Sequence, residues 1–118
     1  MDVPPRLARL PARALPGGLT LHEARSPRAR LLGLMGIGGL DPSRGLWLPR
    51  TRSIHTGGMR MALDLLWLDG DGAVVRRDDG VGPGRLRGCR GAASVVEVAA
   101  GAGARWAATL ERFDTMRG

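Results

Sequence analysis

The chain predicts a mainly β fold, a compact barrel-like sandwich of short strands with one or two short helices, and three stretches carry that prediction. Leu63 to Leu68 is apolar on both faces apart from Asp64, as expected for a central strand covered from both sides. Asp69-Gly70-Asp71-Gly72 then turns the chain into Ala73-Val74-Val75-Arg76, the clearest hairpin signal in the sequence. Ala93 to Val98 is a third apolar run, rich in the β-branched residues that suit a pleated surface.

The remaining elements follow in order. Residues 1–18 place Pro4, Pro5, Pro11 and Pro16 among Arg6, Arg9 and Arg13, a pattern read as an extended or mobile arm without a continuous helix or ladder strand. Residues 19–118 form the single domain. Leu19 to Ala24 alternates apolar with polar residues, which predicts a first strand with one buried face and His22 pointing out. Ser26-Pro27 is a cap residue before a first-turn proline, and Leu31, Leu32, Leu34 and Met35 make a stripe, so a helix is predicted over about 27–35. Gly36, Gly38 and Gly39 end it. Gly45 to Pro49 reads as a second strand, and Gly57-Gly58 breaks the backbone after Ile54-His55-Thr56. Asp78 to Gly91, with six glycines or prolines interrupted by Arg85, Arg87 and Arg90, reads as a loop, and Ala102 to Leu110 as one or two helical turns around Trp106.

Composition bounds the rest. A chain of 118 residues has one core, and with aromatics at 3% the three tryptophans, Trp47, Trp67 and Trp106, are its expected anchors. The formal charge is +7 and every cation is an arginine, a bias that GC-rich codon usage produces without selection for phosphate contacts. The whole excess lies in residues 1–60. Cys89 is the only cysteine, so no disulfide forms within the chain, and a reducing, cytoplasmic compartment is expected. No window approaches the roughly 20 apolar residues of a membrane span, and the N-terminus has no apolar leader run.

Ile54-His55-Thr56, Gly58-Met59-Arg60 and Asp64, then Arg90-Gly91-Ala92 before the Val-Val-Glu-Val strand, resemble the two signatures of the DUF192 (UPF0127) family of small bacterial and archaeal domains. The Leu-Leu-Gly-Leu-Met-Gly segment fits the same pattern, and the resemblance spans about residues 19–101. It implies the barrel-like architecture more firmly than periodicity does. It brings no settled activity with it. Gly57 stands where many relatives carry an aromatic residue, and Met61-Ala62 where they carry an aromatic-Pro pair, so ring surface beside the polar cluster is removed.

That cluster is the candidate site. His55 is the one side chain in it able to exchange a proton near neutrality, as a catalytic base or as a hydrogen-bonded loop anchor. Arg60 offers a planar fork for a carboxylate or phosphate, or a partner for Asp64 four residues on. Asp64, inside an apolar strand, needs a cation or backbone donors. Thr56 with Arg85, Arg87 and Arg90 completes the ligand-binding set, while Met59 and Cys89 read as core. Two histidines and one cysteine, widely separated, supply no metal-ligand spacing, and Asp69-x-Asp71 lacks the later oxygen ligands of a calcium loop. No metal and no cofactor is expected.

These residues support a binding or accessory domain for a small anionic ligand or a partner's carboxylate, monomeric or weakly dimeric and not associated with membranes. The alternatives are a hydrolase or transferase using His55 as general base with Asp64 orienting it, and nonspecific nucleic-acid binding through the arginine-rich first sixty residues.

Overall fold

A computed structural model of the chain describes residues 3–117. In chain order the elements are α1 (Pro5–Ala8), β1 (Ala12–Leu15), β2 (Leu19–Glu23), α2 (Pro27–Leu32), β3 (Arg44–Leu48), β4 (Ser53–His55), β5 (Leu63–Leu68), β6 (Val74–Val81), β7 (Leu86–Gly88), β8 (Ser94–Ala99) and α3 (Gly103–Arg117). Six strands form one sheet in the order β1-β2-β3-β8-β5-β6, and β4 pairs with β7 in a second. Only β2 and β3 run parallel, joined through α2, and every other pairing is antiparallel. The fold is mostly β and a compact sandwich, as predicted, but the large sheet stays open, with β1 and β6 as its edges.

Alternation along the strands sends side chains into two cores. Leu46, Leu48, Leu63, Leu65, Trp67 and Val95 face α1, Leu34 and the β4–β7 layer. Leu19, Leu21, Leu66, Leu68, Val96 and Val98 face α3, where Ala102, Trp106 and Leu110 meet them. β5 is therefore buried at all six positions. Trp67 donates from Nε1 to Asp78 Oδ2 at 3.0 Å and Trp106 to the Pro42 carbonyl at 2.8 Å, so both fully buried indoles keep their polar group satisfied. Trp47 is only half-buried, with the Arg25 guanidinium 5.7 Å above its ring. Trp106 reaches its place because Gly45 has no side chain: a Cβ there would stand 2.9 Å from Trp106 Cη2.

Several local expectations change in the folded chain. The prolines of the first eighteen residues flank short elements instead of excluding them. Pro5 opens α1, where a missing N–H costs nothing, and Pro11 and Pro16 bracket an edge strand that pairs Ala12 with His22 and Leu15 with Leu19. The helix at Pro27 starts on Ser26, whose hydroxyl accepts from the Ala29 amide at 3.0 Å, but it ends at Gly33. Its apolar stripe splits, with Leu34 buried beyond its end and Leu31 70% exposed.

His22 is 3% exposed, not outward-facing, because both sides of β2 are covered. Arg44 Nη1 lies 3.0 Å from His22 Nε2, and burial, with the Arg44 cation second, lowers the imidazole's pKa despite the opposing Leu7 backbone. The stretch from Asp78 to Gly91 is not all loop. It holds the end of β6, paired in the hairpin with β5, and all of β7, whose partner β4 lies more than thirty residues earlier. The last helix runs through fifteen residues, longer than the one or two turns predicted.

Candidate functional site

Asp64 and His55 do not meet. Asp64 shares a β5 face with Leu66 and Leu68 and turns toward the start of α3, whereas His55 ends β4 in the layer on the other side of the sheet. Asp64 is 2% exposed, and its carboxylate accepts three backbone hydrogen bonds, from Gly80 to Oδ1 at 2.8 Å and from Gly101 and Gly103 to Oδ2 at 2.9 and 2.8 Å. Loop amides therefore satisfy the buried charge, beside the positive end of the α3 dipole. Arg60 does not pair with it. That side chain is exposed, its guanidinium lying along Gly38.

Thr56 is a staple between loops. It is fully buried; its hydroxyl donates to the Gly82 carbonyl at 2.7 Å and accepts from the Arg85 amide at 2.7 Å. Its backbone adds N–H to Arg85 O at 2.8 Å and accepts from Gly84 and Met59. Arg85 thus meets the motif through its main chain. Arg85 and Arg90 are exposed, and Arg87 is half-buried and donates to the Leu86 carbonyl at 2.9 Å. Cys89 packs half-buried against the core just after β7, not buried at the start of a strand, and Met59 is 8% exposed within the core.

His55 lines a cleft of about 380 Å³ between α2, the turn after β3, β4 and β8. Its polar walls are Arg30, Arg50, Arg52, Thr51, Ser53 and His55, and its apolar surface comes from Leu48, Ile54, Met35 and Met59. Arg60, Arg85, Arg87 and Arg90 are not among its walls. Arg50 holds a left-handed backbone, φ 50, the only described non-glycine residue to do so.

At the inner wall stands Glu97, in the middle of β8 between Leu46 of β3 and Leu65 of β5. It is 1% exposed, Oε1 has no hydrogen-bond partner, and burial pushes the carboxyl up to about 7. Gly33, at φ 48 and ψ −129, brings its backbone close enough that a Cβ would be 3.3 Å from that oxygen. Arg30 Nε is also buried without a partner, while its Nη1 donates to the Pro49 carbonyl at 3.3 Å. Sequence reasoning passed over Glu97 as part of a strand signature. Like Asp64, the glutamate of Val-Val-Glu-Val is a lone carboxylate in an apolar strand, which demands a partner.

A larger cavity of about 440 Å³ opens on the other face, between Trp47, Leu21, Leu68, Leu110 and the Asp69–Gly72 turn. Its one buried carboxylate, Glu23, is already held by Arg25 at 2.7 Å and Arg13 at 3.6 Å. The smaller cleft holds the unsatisfied chemistry.

The sequence model of the DUF192 family, described as Uncharacterized ACR, matches residues 13–111, and the chain belongs to that family. No curated protein matches the chain. Among solved structures, a protein from Sinorhizobium meliloti 1021, described as a proposed transcription regulator, superposes with a TM-score of 0.67 at 26% identity over 75% of this chain and 74% of its own. A protein of unknown function from Novosphingobium aromaticivorans DSM 12444 gives 0.66 at 17% identity over 89% and 92%, a likeness of fold. The chain is an uncharacterised small domain, and no described helix is long and apolar enough to cross a membrane.

Proposed function

We propose that this member of the DUF192 family is a binding or accessory domain that receives a small anionic ligand, or a partner's carboxylate, in the cleft between α2, β4 and β8. One observation carries the reading: Arg30, Arg50, Arg52 and His55 line a cavity whose single carboxyl, Glu97, is buried, its pKa pushed up to about 7. Guanidinium forks match carboxylate and phosphate oxygens two at a time, and four cationic or imidazole side chains along one cleft offer several such contacts to one anion. The set replaces Arg60, Arg85, Arg87 and Arg90 with arginines that line the same space as His55. We place the protein in the cytoplasm, on the single cysteine, as a monomer or weak dimer.

The test is calorimetric titration with acetate and inorganic phosphate, against Arg52→Ala and His55→Ala. Selective binding by the native chain, weakened in both variants, supports the reading. Equal heats with chloride as with either anion dismiss it. An enzyme with His55 as general base loses its orienting partner, because Asp64 lies across the sheet.

A second reading, nucleic-acid binding, takes its support from the description of the Sinorhizobium protein and from the exposed side chains of Arg9, Arg25, Arg28, Arg52 and Arg60. Its signature is affinity that falls steeply with salt, and salt-independent affinity removes it.

A further inference from the structure

We propose that Glu97 selects the ligand of this cleft and that the ligand is a small hydroxylated anion, a hydroxycarboxylate or a phosphorylated polyol. The proposal rests on the anion-binding reading above and adds what the ligand must carry besides its charge.

Four buried side-chain atoms among the described residues have no hydrogen-bond partner: Arg6 Nε, His22 Nδ1, Arg30 Nε and Glu97 Oε1. Two of the four, Arg30 Nε and Glu97 Oε1, belong to walls of the same cleft. One is a donor and the other an acceptor, and no ion pair joins them. Folded chains seldom leave such groups unsatisfied, and a donor and an acceptor left without partners in the walls of one cavity describe its occupant in negative. The occupant presents an acceptor at Arg30, where Arg50 and Arg52 add positive charge, and a second polar group at Glu97. Met59 and Ile54, in the walls of the same cleft, supply apolar surface for a short carbon skeleton.

A hydroxyl fits Glu97 in either of its protonation states. It donates to the carboxylate and accepts from the carboxylic acid, whereas an ammonium satisfies only the first and a carbonyl only the second. Burial holds the Glu97 carboxyl at about 7, so both states are present near neutral pH. Gly33 packs against Oε1, where an added Cβ would stand 3.3 Å from it, so a side chain at this position would crowd the carboxyl.

The experiment is calorimetry of the full chain with matched pairs: acetate and glycolate, propionate and lactate, propyl phosphate and glycerol 3-phosphate. The carboxylate and phosphate arms tell the two anion sources apart. The hydroxylated member is expected to bind at least about tenfold tighter, since a site with an unpaired polar group rejects the ligand lacking its partner. Glu97→Met keeps the volume and removes the preference, while Glu97→Gln, which retains an acceptor and a donor, keeps part of it. Anions that bind equally with and without the hydroxyl, or a preference that survives Glu97→Met, overturn the assignment of Glu97 and leave the anion site standing. Absence of binding by every compound, acetate and the simple phosphate ester included, overturns both.

Discussion

Gly103 and Asp64 touch so closely that the Gly103 amide donates to Asp64 Oδ2 at 2.8 Å, while a methyl group on the same Cα would stand 2.8 Å from that oxygen. The first residue of α3 is thereby fastened to the middle sheet by a charge-assisted hydrogen bond that only glycine accommodates. Asp64→Ala leaves three amides without their acceptor and is expected to cost about 3–5 kcal/mol in urea unfolding. Gly103→Ala is expected to cost about 1–3 kcal/mol, through displacement of the same carboxylate. If Asp64→Ala unfolds like the native chain, the carboxylate does not anchor α3.

Glu97 makes the native protein less stable as pH rises. Its folded pKa of about 7 lies above its ordinary value of 4.5, so between those values the folded chain keeps a proton that the unfolded chain gives up. Stability from this group is full below pH 4.5 and is lost as pH rises through 7, by about 3 kcal/mol. His22 acts in the opposite sense: its lowered pKa adds stability above 6.5 that is lost as pH falls. Comparing the native chain with Glu97→Gln cancels the His22 contribution. The variant is expected to gain melting temperature relative to native from pH 4.5 to pH 8, and a constant difference across that range refutes the assignment.

Thr56→Val is expected to destabilise by about 1–3 kcal/mol, since a valine of similar shape leaves the Arg85 amide and the Gly82 carbonyl without their shared hydroxyl. Amide exchange reads the effect locally. Arg85 N–H should exchange faster in the variant while β5 amides keep their protection relative to global stability.

Gly45→Ala puts a Cβ 2.9 Å from Trp106 and 3.0 Å from Val98, between β3 and α3. Overpacking there is expected to cost about 1–3 kcal/mol and to shift the emission of Trp106 as its indole is pushed from the sheet. Unchanged stability with unchanged emission would mean that α3 moves aside freely.

What could be read without the fold is local. β5 is buried at every position because, apart from Asp64, its residues are apolar on both faces, the Asp69–Gly72 turn is short-range chemistry, and Ser26 caps α2 through a bond spanning three residues. The family resemblance, too, is written in contiguous residues. Partnership across the sheet is different. Alternation says that Asp64 and Leu65 point oppositely, yet nothing near residue 64 says which side α3 will cover, so His55 and Asp64 read as neighbours when the sheet divides them. His22 reads as exposed for the same reason. The cleft needs α2, β4 and β8 brought together from residues 27 to 97, and β4 itself exists only by pairing with β7, more than thirty residues on. A glutamate in an apolar strand is visible in the sequence; that it lies buried in the wall of a cleft also lined by Arg30, Arg50 and Arg52 is decided by tertiary structure, because packing on each face of a strand is set by segments distant along the chain.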